Sequence, residues 1–139
     1  WNTFFADALS AIRKTNKTRA VLMGTANWGG LGGVPSLKIP TDDNIILTIH
    51  YYDPFNFTHQ GADWVDGSTP WLGTKWENTN LERNEIIGQF QFLKEYSAKN
   101  NIPIHIGEFG AFSKADLESR ILWTNFLARW FEQQGFSWA

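Results

Sequence analysis

The sequence has no cysteine, a single methionine and only five prolines in 139 residues. Without thiols it can build neither a disulfide framework nor a thiolate metal or redox centre. No apolar run approaches the ~20 residues of a membrane-spanning helix. The formal net charge is -2, which leaves no basic footprint for nucleic acid. Neither a membrane nor a nucleic acid is therefore an expected partner. Histidine is scarce: His50, His59 and His105 lack the His-Glu-x-x-His spacing of a metal site, so no metal is expected. The run Gly29-Gly30-Leu31-Gly32-Gly33 lacks the Gly-Lys-Ser/Thr ending of a phosphate loop and reads as a flexible rim loop. No leader peptide is visible. Trp1-Asn2 opens in mid-pattern, which reads as the interior of a longer protein. Asn16-Lys17-Thr18 and Asn56-Phe57-Thr58 match glycosylation sequons and read as chance matches.

Aromatic residues are abundant, with eight Trp and eleven Phe. Core packing accounts for more than half of them; the flat faces of the rest suit sugar rings. Periodicity predicts a helix over Asn2 to Asn16, with Phe4, Phe5, Ala8, Leu9 and Ile12 on its apolar stripe. Short apolar runs predict strands over Arg19 to Gly24, Asn44 to His50 and Ile102 to Ile106. A helix over Asn80 to Lys99 turns Ile86, Ile87, Phe90 and Leu93 inward. Another, capped by Ser113 with Asp116 three residues on, runs to Gln134 with Leu117, Ile121, Phe126 or Leu127, Trp130 and Phe131 inward. Phe136 to Ala139 starts a fourth strand. Thr25 to Asp43 and Tyr52 to Thr79 read as long loops, the first with one helical turn near Pro35 to Leu37. A loop as long as the second points to function or to short local structure. Strands alternating with helices imply an α/β fold of parallel strands with right-handed crossovers.

The third strand runs into Ile106-Gly107-Glu108-Phe109-Gly110. Glycines on either side of the Glu-Phe pair leave room for a ligand against the backbone. The second ends in His50-Tyr51-Tyr52-Asp53. Side chains alternate faces along a strand. That parity sets Ile104, Ile106 and Glu108 inward, with His105 and Gly107 toward the helices. Ile46, Thr48, His50 and Tyr52 share the inward face. Glu108, His50 and Tyr52 are thus expected to meet at the strand ends. Asn27-Trp28 closes the first strand and can reach the same cleft, Asn27 by hydrogen bonds and Trp28 by stacking. Trp64, Trp71 and Trp76 are further candidates for stacking. Each has a structural competitor: Glu108 paired to a lysine, His50 buried and satisfied, Tyr52 a core aromatic, Trp28 packing. His59 and His105 read as structural, and Glu82, Glu85 and Glu118 as solvated helix charges.

These strand ends, with Phe57-Thr58-His59-Gln60-Gly61-Ala62-Asp63-Trp64, resemble glycoside hydrolase family 5, and within it the bacterial cellulases. The resemblance spans nearly the whole chain. It implies a (β/α)₈ TIM barrel, which needs roughly 250 residues. Residues 1–139 are then expected to form a single partial catalytic domain, the C-terminal half-barrel with about strands five to eight. It implies that Glu108 is the nucleophile of retaining β-1,4-glucan hydrolysis, without cofactor. His50 and Tyr52 match the family's His-x-Tyr, with Tyr52 donating to the carboxylate and His50 binding substrate or orienting a neighbour. Asn27, Trp28, Trp64, Trp71 and Trp76 become substrate-binding candidates. A retaining pair places its two carboxyl groups roughly 5–5.5 Å apart. The family's acid/base Glu follows an Asn at the end of strand four, and here only Asn84-Glu85, inside a helical pattern, has that dipeptide. The chain is expected to carry the nucleophile without the acid/base and to be inactive alone. The intact parent is expected to act outside the cell on β-glucan or cello-oligosaccharide.

Other functions fit parts of the same sequence. A non-catalytic sugar-binding or self-assembling half-barrel is one. A half-barrel that binds a phosphorylated metabolite is another, disfavoured by the missing phosphate motif and the abundant Trp. Unpaired strand edges invite pairing, so a homo-oligomer of half-barrels, or union with the N-terminal half, is expected.

Overall fold

A computed structural model describes all 139 residues. Four parallel strands lie side by side in chain order: β1 (Val21–Met23), β2 (Ile45–Tyr51), β3 (Ile104–Phe109) and β4 (Ser137–Trp138). Between and around them run α1 (Asn2–Thr15), α2 (Phe55–Thr58), α3 (Asn80–Asn100) and α4 (Leu117–Gln133), with 3-10 turns at Leu31–Ser36 and Thr69–Trp71. Parallel strands in sequential order, with the long helices on one face, are the half-barrel arrangement that the sequence implies. No helix is long and apolar enough to cross a membrane.

The sheet has a helix-covered face and an open face. Along β2, Ile45, Leu47, Ile49 and Tyr51 are buried, while Ile46, Thr48 and His50 are half-exposed. The buried set meets Phe90 and Leu93 of α3 and Trp123, Leu127 and Phe131 of α4 in one core. Burying such side chains contributes roughly 1.5–3 kcal/mol each, and this fixes the layering. Tyr51 lies at its centre, 4.7 Å from the Phe90 ring and parallel to Trp123 at 6.5 Å, while its hydroxyl donates to Gln89 Oε1 at 2.8 Å.

Several helix details differ from the sequence expectation. The cap of α4 is Asp116, whose carboxylate accepts from the Ser119 amide at 3.1 Å, and Ser113 lies in the preceding turn. The Phe112 amide donates to the Thr58 carbonyl at 2.8 Å, which holds this turn against α2 and delays the helix. Trp123, Leu127, Trp130 and Phe131 form the inner stripe of α4, whereas Leu117 and Ile121 are 62% and 50% exposed. On α1 only Leu9 is buried and Phe4 is exposed, because this helix flanks an edge strand and has few neighbours. Ile87 of α3 also stands partly in solvent. The glycine-rich rim is folded rather than loose. Thr25 Oγ1 donates to the Gly30 carbonyl at 2.7 Å, and a Cβ on Gly33 would lie 2.7 Å from Thr25 Cβ.

The long β2–α3 connection is held by buried polar groups. Gln60, 1% exposed, donates to the carbonyls of Phe57 and Thr74 and accepts from the Gly73 amide. Ser68 donates to Ala62 O at 2.7 Å, and Lys114 reaches across from the β3–α4 turn to Gly61 O at 2.6 Å.

Strand β3 corrects the simple alternation. Its register with β2 pairs Leu47 with Ile104 and Ile49 with Ile106, then skips Gly107 so that His50 pairs with Glu108. Ile104 and Ile106 therefore face the helices and are buried, and His105 faces the open side opposite Thr48. Gly107 and Glu108 are consecutive on the open face, a β-bulge. A Cβ on Gly107 would sit 2.6 Å from Thr48 Oγ1, so the bulge needs glycine. Gly107→Ala is expected to destabilise the fold by about 1–3 kcal/mol through overpacking. Adding Thr48→Ala should restore part of that loss in denaturant titrations, and strict additivity of the two changes would remove the contact from the account.

Candidate active site

The C-terminal ends of β1, β2 and β3 open onto a cleft of about 720 Å³. Glu108 stands on its floor with about half of its side chain exposed. The bulge brings it opposite His50, and the end of β2 supplies Tyr52. The Tyr52 hydroxyl donates to Glu108 Oε2 at 3.0 Å, and His50 Nδ1 lies 3.1 Å from the same oxygen. Oε1 makes no hydrogen bond within the protein.

Each partner is itself braced. The His50 amide donates to the Gly29 carbonyl at 2.9 Å, and the imidazole lies flush on Gly29, where a Cβ would come 2.8 Å from the ring. Gly29 has φ +78, so glycine is required there twice over. The Tyr52 carbonyl accepts from the buried Thr58 hydroxyl. Burial first, then the hydrogen bond and charge of Glu108, push the Tyr52 phenol up to about 12. The neutral, donating phenol is the form the fold favours. Its stabilising contribution is intact below its ordinary ionisation near 10 and is lost as pH rises through about 12.

Asn27 and Trp28 line the cleft as expected, with backbone φ of 58 and 57. Left-handed backbone is costly for a residue as bulky as Trp, roughly 1–3 kcal/mol, yet the Trp28 ring is 92% exposed. Trp64 also lines the cleft, 63% exposed, with its ring edge-on to Phe112 at 4.8 Å. Trp71 and Trp76 do not join them. Trp76 is 1% exposed and packs on Phe126 in the core, so no face is free for a ligand. Trp71 lines a separate pocket beyond Phe55 and Asp53, toward α3. Trp76 was misread for a physical reason: a Trp in a long loop looks solvent-facing until the loop folds back on itself. Trp71 stays half-exposed, and its pocket shares Tyr51, Asp53 and Phe55 with the cleft. Asn84-Glu85 lies on α3, and Glu85 lines the pocket of Trp71 rather than the cleft of Glu108. His105 is on the open face, not the helix side, with Nδ1 2.9 Å from Ser137 Oγ.

Sequence reasoning passed over His59 and Phe55. Both line the cleft, their rings stacked at 4.0 Å, with His59 edge-on to Tyr52 at 5.1 Å. The available signal was His59's place in the Phe57 to Trp64 motif. No cluster of side chains suited to a metal ion occurs.

The Tyr52–Glu108 coupling is open to direct measurement. In ultraviolet difference titrations of the unaltered chain against Tyr52→Phe, Tyr52 is expected to ionise at about 12. Glu108→Gln should move that ionisation down, but not to the ordinary value, because burial remains. An unchanged midpoint in Glu108→Gln would show that the two groups do not interact.

The whole chain, residues 1–139, matches the sequence profile described as Cellulase (glycosyl hydrolase family 5). It is 38% identical over 129 residues to endoglucanase H of Acetivibrio thermocellus, covering 93% of this chain and 13% of that protein. The fold superposes on Thermotoga maritima Cel5A, solved in complex with cellobiose, with a TM-score of 0.96 and 49% identity; the match covers all of this chain and 45% of that one. It is also similar to the cellulose synthase subunit Z of Clostridioides difficile, with a TM-score of 0.94 and 33% identity over 99% of this chain and 46% of that one. The chain thus spans less than half the length of these solved relatives, and its four strands correspond to a partial half of their TIM barrel. The chain belongs to glycosyl hydrolase family 5, the cellulases.

Proposed function

We propose that this chain supplies the nucleophile half of a retaining endo-β-1,4-glucanase site, with Glu108 as nucleophile. The observation that carries the reading is the asymmetric hold on its carboxylate. Tyr52 and His50 both engage Oε2, at 3.0 and 3.1 Å, while Oε1 is unbonded at the floor of a Trp-walled cleft. In the first step Oε1 attacks the anomeric carbon, and the glycosidic bond breaks with the leaving oxygen taking a proton from a second carboxylic acid. That gives a glycosyl-enzyme ester, which water then cleaves with the second carboxylate as base. Charge leaves Glu108 in forming the ester and returns on hydrolysis, and the Tyr52 hydroxyl on Oε2, with the His50 ring beside it, keeps the group oriented through both changes. Trp28 and Trp64 offer exposed ring faces to successive sugars, and Asn27 a polar edge.

No second carboxylate of these 139 residues occupies a place opposite Glu108 in the cleft; Asp53, which also lines it, follows β2 on the same side. The acid/base is therefore assigned to the barrel strands that the longer relatives add. Polymeric β-glucan is met outside the cell, and the parent protein is proposed to act there. The isolated chain is expected to hydrolyse soluble β-glucan at background. Fusion or co-expression with the complementary half should restore turnover, and Glu108→Ala should then reduce kcat by at least about 10³-fold, roughly 4 kcal/mol of barrier. Turnover by the isolated chain that survives Glu108→Ala would overturn the assignment.

The open face also argues for a partner. Leu22 of β1 is 53% exposed there, and the outer edges of β1 and β4 are unpaired. With Ile104 and Ile106 turned to the helices, the inward face carries Leu22, Ile46, Thr48 and His105, which is less apolar than strict alternation implies. Edge pairing rather than apolar burial would then drive association, either with the complementary half or with a second copy. Sedimentation at micromolar concentration is expected to show species larger than a monomer. A single monomeric boundary with cooperative unfolding would exclude self-pairing.

A further inference from the structure

His59 borders the cleft but takes no part in holding Glu108. Its ring is stacked on Phe55 at 4.0 Å and meets Tyr52 edge-on at 5.1 Å, and its Nδ1 lies 2.9 Å from Thr58 Oγ1. Thr58 is 1% exposed, and its hydroxyl has a single proton to give. The Tyr52 carbonyl lies 2.5 Å from Oγ1 and the Phe55 carbonyl 3.4 Å. Carbonyl oxygens only accept, so the proton is committed to Tyr52. Thr58 Oγ1 must then accept at Nδ1, which therefore carries the ring proton. Nε2 is left with its lone pair and no protein donor. Burial lowers the His59 pKa from its ordinary value, which keeps the ring neutral at neutral pH.

We infer that Thr58 fixes His59 in its Nδ1–H tautomer, so that Nε2 accepts a hydrogen bond from a sugar hydroxyl bound beside Tyr52. His59 is then a binding residue, and Thr58 a positioning residue that ties one proton to two functions: the backbone of Tyr52 and the tautomer of its neighbour. The ligand in this inference rests on the glucan reading; the tautomer rests on protein geometry alone. The selectivity follows from the chemistry. A sugar whose hydroxyl at this position is missing or O-substituted leaves a half-buried acceptor unpaired, which a polar site penalises more than an apolar one.

Long-range ¹H–¹⁵N correlation spectra of the histidine rings, recorded on the chain with and without cellotetraose, test both parts. His59 is expected to show a protonated Nδ1 and a bare Nε2. Thr58→Ser should keep this pattern, and Thr58→Val should mix the tautomers. Cellotetraose should shift Nε2, and His59→Phe should weaken its binding by about two- to tenfold, the worth of one neutral hydrogen bond. A protonated Nε2 in the unaltered chain would overturn the inference, and that measurement decides it even where Thr58→Val fails to fold. A sugar that shifts the Trp64 indole but not His59 Nε2 would overturn the ligand assigned to His59. A sugar that shifts neither would overturn the glucan reading, with the tautomer still decided by the first spectrum.

Discussion

The geometry of the site depends on the absence of one methyl group. At Gly107 the third strand carries an extra residue, and nothing larger than hydrogen fits against Thr48 Oγ1 at 2.6 Å. Without the bulge, period-two alternation would carry Glu108 round with Ile104 and Ile106 to the helix side. With it, the strand buries two isoleucines in the core and still turns the next carboxylate to the open face. One local irregularity thus serves packing and chemistry at once, which is why bulges gather beside functional sites.

Around this point each buried polar side chain bonds backbone, and Thr58 bonds the His59 ring as well. Thr58, Gln60 and Ser68 are all nearly inaccessible, and each bonds carbonyls or amides of the connection after β2. A connection with no long helix of its own has no internal ladder to satisfy its peptide groups, so side chains supply the missing partners. The result is a rigid wall for the cleft. There His59 stacks on Phe55 and meets Tyr52 edge-on, and Trp64 is set by Phe112 from the neighbouring turn, which Lys114 ties to the Gly61 carbonyl.

Much of this was legible in the residues. Apolar runs located all four strands, and periodicity located α1, α3 and α4. The two motifs at the strand ends brought Glu108, His50 and Tyr52 together correctly. What failed were inferences that need a third dimension. The parity of Ile104, Ile106 and His105 came out inverted, because a bulge leaves no periodic trace. Glu108 came out inward all the same, since the reading had inverted the strand beneath it as well. The inner stripe of α4 was misread at Leu117 and Ile121, because its register depends on where the cap falls, and the cap depends on a contact with α2. Trp76 was misplaced because burial within a long connection is decided by its fold, not by its composition. His59 was undervalued because its role lies in a neighbour's single proton.

Trp28 has a wider consequence. Its ring gains little from the protein, being almost wholly in solvent, and its backbone occupies a region where glycine or asparagine would sit more easily. Packing among these 139 residues gives the ring no reason to be there. Selection for heat resistance alone would favour replacing it, whereas selection for an exposed aromatic face at the cleft mouth would keep it. Position 28 is thus a place where thermal robustness and ligand contact pull in opposite directions, and where a variant bred only to survive heating would be the first to lose its aromatic surface.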